Sequence, residues 1–167
     1  MRVYLVRHGI AADGIGYEED GDRPLTLEGR QRARELFAQW AAGGDPLPTQ
    51  WISSPLVRAV QTSELAMAAL GAGGPLEISR RLLPETRVSA AAQLVDDRYG
   101  ETLALVAHQP LLGGLAAFLL GLGTVPANLQ PGAVLALDLP EDGDSVPRLS
   151  WHLRMDPDGK PRRLSPP

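Results

Sequence analysis

Arg7 and His8 close the first apolar run of the chain, "RVYLV". A second histidine, His108, closes another, "TLALVAH", at residues 102–108. Arg58 stands just after the turn signal "SSP" at 53–55. The set is two guanidiniums and two imidazoles, with little nearby carboxylate to cancel the charge. A buried strand gains nothing by ending in adjacent cationic side chains, so the pattern asks for an anionic ligand. A phosphoryl group fits best. Arginine offers planar, paired donors to phosphate oxygens. Helix starts after Ser54 and after Gln109 would add free backbone N–H groups. Gln109 itself has two open readings: its backbone N–H donates to the phosphoryl group, or it simply starts a helix.

These residues need elements to hold them. "RVYLV" (2–6) has the β-branched and aromatic content of a buried strand. A Gly- and Asp-rich loop runs from Gly9 to Pro24. "PLTLEGRQRARELFAQWAA" reads as a helix capped by Thr26, with Leu27, Leu36, Phe37 and Trp40 on one side and Gly43 and Gly44 at its end. Strands are expected at 50–53, 76–79 and 102–108, and helices at about 55–70, with Pro55 at the first position, over "VSAAAQLVDDRYG", and from Pro110. "GAVLALDL" (132–139) and "RLSWHLRM" (148–155) read as a closing hairpin around "PEDGDS". Strands alternating with helices predict a three-layer α/β/α sandwich with a mostly parallel sheet. Ligands of such sheets bind beyond the carboxyl ends of the strands. His8 and His108 both fall at such ends.

The 167 residues suit one domain, read as 1–156, with a Pro-rich tail at 157–167 that is extended or mobile. Hydrophobic residues make up 44% and charged residues 22%, a globular composition. A net charge of −4 argues against a general nucleic-acid or acidic-membrane partner. With no cysteine, a reducing compartment is the simple reading, and the chain is expected in the cytoplasm. No secretory pattern opens the chain, and the most apolar stretch, "LLGGLAAFLLGLG" (111–123), is short of the roughly 20 residues of a membrane span. Three histidines without metal-ligand spacing give no zinc site, so no metal or cofactor is expected. His152 carries no motif and reads as a surface or half-buried strand residue. The acidic "YEEDGD" (17–22) reads as a solvated loop at the rim.

Four motifs now stand in order: "RHG" (7–9), "LTLEG" (25–29), "SPLVRAVQT" (54–62) and "VAHQP" (106–110). Together they resemble the histidine phosphatase superfamily, of phosphoglycerate mutase-like fold, over roughly residues 1–125. The short length and the opening look most like the SixA-type phosphohistidine phosphatases. The resemblance implies a covalent route. His8 would attack phosphorus in line and become phosphohistidine, and water would hydrolyse that intermediate. Arg7, Arg58 and His108 would hold the transferring oxygens. His8 must attack as neutral imidazole, its other nitrogen fixed by a backbone carbonyl, and the neighbouring Arg7 and Arg58 should lower its pKa.

The chain departs from the larger family members in two places. Where they carry a polar residue six positions after the nucleophile, Gly14 stands here. They use a glutamate after the third strand as general acid; Glu85 in "LLPET" is near that place, as that acid or as a loop carboxylate. Without a strong acid, an alkoxide leaving group is poor, since water's own pKa is about 15.7. Imidazole, with a conjugate-acid pKa of about 6.5, leaves easily. Only about 16 residues separate Glu85 from Thr102, too few to enclose a small molecule. The expected substrate is therefore phosphohistidine on a signalling protein such as a histidine phosphotransfer domain. The alternatives are a phosphomonoesterase acting on small or general phosphate esters and a non-catalytic phosphate-binding module.

Overall fold

The computed structural model describes residues 1–124, 129–140 and 145–165. The elements run β1 (Arg2–Arg7), α1 (Leu27–Ala41), β2 (Gln50–Ser53), α2 (Val57–Leu70), β3 (Leu76–Ile78), α3 (Val88–Asp96), β4 (Thr102–Ala107), α4 (Leu111–Leu119), β5 (Val134–Asp138), β6 (Arg148–Met155) and β7 (Pro161–Leu164). One sheet takes all the strands, in the order β3-β2-β4-β1-β5-β6-β7. The first four of these neighbours are parallel; β5, β6 and β7 add on antiparallel.

Strict alternation along the central strands divides the core in two. Val3 and Leu5 of β1, with Leu103 and Leu105 of β4, pack under Leu94 of α3 and Leu112 and Leu115 of α4. Tyr4 and Val6, with Ala104 and Val106, face the opposite way, onto Phe37 and Trp40 of α1 and Ala59 and Ala66 of α2. A strand buried on both faces must read as a continuous apolar run, which is why "VYLV" and "LALVA" do. Fully burying one such large side chain is worth about 1.5–3 kcal/mol, so these two strands are the rigid centre of the molecule.

α1 begins as its sequence demands: the Thr26 hydroxyl accepts from Gly29 N–H at 2.9 Å. Leu27, expected on the buried side, is instead 81% exposed at the first helical position; Ala33, Leu36, Phe37 and Trp40 form the buried stripe. α2 starts at Val57 with Leu56 as N-cap, two residues later than Pro55 suggests. It stops at Gly71, whose φ of 61° is open to glycine and strained for others. The closing hairpin is β5–β6, and most of its "PEDGDS" turn lies outside the described residues. The tail is extended and paired: β7 lies along β6, with Met155 opposite Pro161. His152 on β6 is buried, deeper than the surface or half-buried position expected.

β4 sits between β1 and β2, so the chain leaves β1 and crosses over the place that β4 later fills. That order places the carboxyl ends of β1 and β4 side by side, with Arg7 level with Ala107. An open α/β sheet leaves its ligand crevice at such a point. Among the described residues no helix is long and apolar enough to cross a membrane.

Candidate active site

His8 and His108 are the first residues past those two strand ends. The His8 N–H donates to Ala107 O at 3.0 Å, which carries the sheet ladder one step beyond the strand and fixes the nucleophile candidate against β4. The two imidazole centroids are 4.8 Å apart. Arg7 and Arg58 join them around one cleft of about 460 Å³, which Arg23, Asp20 and Gln109 also line.

His8 Nδ1 lies 2.7 Å from Gly9 O. A carbonyl only accepts, so Nδ1 carries the proton and Nε2 carries the lone pair. The ring is held neutral: its pKa falls to about 4, chiefly by burial, with Arg58, Arg7 and Arg23 adding to the effect. The arginines were the expected cause; desolvation is the larger one. His108 is pushed down to about 3, again first by burial and then by His8 and Arg58. Its Nε2 pairs with Ser54 Oγ at 2.8 Å.

Arg7 donates through Nη1 to Leu129 O at 2.6 Å. Arg58, on the first turn of α2, has only 5% of its side chain exposed. Three buried nitrogens of this set, Arg7 Nε, Arg58 Nε and His108 Nδ1, have no protein partner. Native proteins rarely leave buried polar atoms unmet, and clustering of three beside one cleft marks a functional site. All four residues singled out by type and spacing are thus brought together.

One expectation fails in detail: that little carboxylate stands near the cations. Asp20, from the acidic loop taken as merely solvated, accepts from Arg58 Nη2 at 2.8 Å, and its carbonyl accepts from Arg58 Nη1 at 2.7 Å. Arg58 and Arg23 hold the Asp20 carboxyl below the usual carboxylate range. At the start of α4, two of the N–H groups already have partners within the chain. Gly113 N–H donates to the Gln109 side chain at 3.0 Å and Leu112 N–H to His108 O at 2.9 Å. The Gln109 side chain therefore caps α4, and the residue also lines the cleft. Glu85 is exposed and does not line the cleft, although Pro84 beside it does.

The structure also explains motif residues to which the pattern alone assigns no task. Thr62 Oγ1 accepts from Gly9 N–H at 3.0 Å and donates to Arg58 O at 2.7 Å, so the last residue of "SPLVRAVQT" ties the nucleophile's loop to the arginine. Gln61 Oε1 accepts from Leu25 N–H at 2.9 Å, joining that motif to "LTLEG". Gly29 is required by contact: a Cβ there would stand 2.2 Å from Ile10 O. Among the described residues no group of His, Cys, Asp or Glu could hold a metal ion.

A family model for the histidine phosphatase superfamily (branch 1) matches residues 3–83. The structure of the protein histidine phosphatase SixA complexed with tungstate is similar at 30% identity and a TM-score of 0.76, covering 91% of this chain and 96% of that one. The chain belongs to the histidine phosphatase superfamily. An uncharacterized protein of Picosynechococcus sp. is 36% identical over 141 residues, 82% of this chain and 84% of that protein. A mycobacterial glucosyl-3-phosphoglycerate phosphatase shares the superfamily fold at 20% identity and a TM-score of 0.66, over 89% of this chain and 96% of that one. The fold is the phosphoglycerate mutase-like one, and the family supports a phosphatase.

Proposed function

We propose that the protein is a phosphohistidine phosphatase of the SixA type, acting on a phosphorylated signalling protein through a covalent intermediate on His8. The observation that carries this is the state of His8: neutral, its Nδ1 proton committed to Gly9 O and its Nε2 lone pair free beside three arginines. Nε2 attacks phosphorus as the bond to the substrate nitrogen breaks, and the substrate imidazole leaves with its proton. Water then attacks phosphorus, the His8–phosphorus bond breaks, and phosphate departs. Arg7, Arg58 and His108 balance the charge on the equatorial oxygens as they pass through the plane.

The leaving group is argued from the carboxylates. Asp20 reaches the cleft but its arginines keep it ionised, so it has no proton to give. Glu85 is exposed and outside the cleft lining. A site with this set suits a leaving group that needs no strong acid, which imidazole satisfies and a sugar alkoxide does not. α3 supports the same reading. It turns Ala91, Ala92, Leu94 and Val95 into the core under α4 and adds no residue to the cleft lining.

The test is a brief incubation with a labelled phosphohistidine protein, quenched in alkali. The wild-type chain should carry an alkali-stable, acid-labile label that His8→Ala lacks. Phosphate binding without label or phosphate release would replace the enzyme with a binding module. Faster turnover of small phosphate esters than of the protein would replace phosphohistidine with a phosphomonoester.

A further inference from the structure

The cleft holds one anion of its own. Asp20 lies on a single 3-10 turn, Asp20–Asp22. One carboxylate oxygen pairs with Arg58 Nη2, and the other accepts from Arg23 Nε at 2.8 Å and from Arg23 Nη2. Arg23 Nη1 holds Ala12 O at 2.6 Å. The exposures are unequal: Asp20 is 65% exposed while Arg58 is 5% exposed.

That inequality decides which partner can leave. A buried guanidinium stripped of its anion is costly, because it cannot regain water. An exposed carboxylate released from the pair is rehydrated at once, at little cost. The pair is therefore stable only until another anion reaches Arg58. Arg23 shares the same carboxylate, so releasing Asp20 also frees the paired donors of Arg23. Arg23 already lines the cleft and contributes to lowering the pKa of His8, so it acts on the same space.

We propose that Asp20 is a displaceable stand-in for the phosphoryl group and that Arg23, released when the phosphoryl group displaces it, becomes a third guanidinium on the bound substrate. This rests on the reading of the cleft as a phosphoryl site. The exchange has a use at the end of the cycle. As product phosphate loosens, Asp20 returns to Arg58, so the buried cation is never left bare and release is not held back by full desolvation. The carboxylate also weakens, without abolishing, the binding of a free anion such as inorganic phosphate.

Titration calorimetry with inorganic phosphate tests the exchange. Asp20→Asn keeps the shape and removes the competing charge, and should bind phosphate about five- to tenfold more tightly than wild type. Asp20→Ser should move the same way. Arg23→Gln should bind several-fold more weakly, and the Asp20→Asn/Arg23→Gln double variant should lose most of the gain. Unchanged or weaker binding in both Asp20 variants would overturn the proposal and make Asp20 a carboxylate that merely positions Arg58. Unchanged binding in Arg23→Gln would remove Arg23 from the site. The phosphoryl-site reading has its own control: if wild type binds no phosphate, or Arg58→Ala binds as well as wild type, that reading falls and the exchange with it.

Discussion

Two arginine–aspartate clusters lie at opposite ends of β1, and they are built in opposite senses. At the cleft the arginine is buried and the carboxylate is in water. At the other end Asp45 is the buried partner, 9% exposed, and Arg163 of β7 stands 28% exposed. Arg163 donates to both Asp45 oxygens, at 2.6 and 2.8 Å, and stacks over the Trp151 ring with its guanidinium carbon 4.3 Å from the centroid. Trp151 Nε1 donates to the same carboxylate at 2.9 Å. Both Asp45 oxygens and the Trp151 N–H are thus answered from within the chain. The cleft leaves three buried nitrogens unanswered and answers Arg58 with a group that water can reclaim. The same ion pair chemistry makes a lock at one end and an exchangeable contact at the other; which partner is buried makes the difference.

The contrast is sharpest in stability. Asp45→Asn should cost about 3 kcal/mol, since breaking a buried pair leaves the remaining partners desolvated and badly matched. Thermal unfolding should fall by about 6–12 °C for a chain of this size. Asp20→Asn leaves the buried Arg58 without its anion, but an amide oxygen and the residue-20 carbonyl remain to accept from it, so the loss should be smaller, about 2–5 °C. Equal losses at the two sites, read by thermal denaturation, would erase the distinction between lock and exchange.

A second, smaller effect follows from the histidines, two at the cleft and one on β6, whose burial favours the neutral ring. His8 and His152 are lowered to about 4 and His108 to about 3; for His152 burial is the first cause and Arg154 the second. All three folded values lie below the unfolded value of about 6.5. The unfolded chain therefore binds more protons than the folded one as pH falls below 6.5, and stability declines until the folded values are reached. Each histidine contributes a slope of up to about 1.4 kcal/mol per pH unit between roughly pH 6 and 4.5. His152→Asn should remove about a third of this acid slope, read from urea midpoints across that range, with turnover at pH 7.5 within twofold of wild type. A slope unchanged by His152→Asn would mean that this histidine is not buried neutral.

How much of this was legible beforehand depended on the kind of signal. β1 and β4 announce themselves because strands buried on both faces must be apolar throughout, and the histidines ending them mark the ligand edge. Arg58 is legible through its motif. Asp20 was not, because its task depends on a loop closing back from residue 20 to residue 58, and nothing in "YEEDGD" distinguishes a carboxylate that meets an arginine from one that meets water. β7 was hidden for a related reason. A Pro- and Arg-rich tail has no strand pattern of its own, and is held by Asp45 and Trp151, far away in sequence. Leu27 misled because helical periodicity says which side a residue faces without saying where the neighbouring element ends.

Glu85 belongs to neither cluster, and that isolation leads to the smallest effect. It is exposed, in the turn beside Pro84, while an acid that protonates a leaving group must come within hydrogen-bond reach of it. If Glu85 is only a loop carboxylate, Glu85→Gln should change turnover of a phosphohistidine protein by less than about twofold, and should slow aryl and alkyl phosphates equally little. Selective loss on the alkyl ester, whose leaving group is the harder to expel, would instead bring Glu85 into the cleft during turnover. Asp20 would then no longer be the carboxylate that matters most at this end of the sheet, and the case for a phosphorus–nitrogen substrate would lose its chemical support.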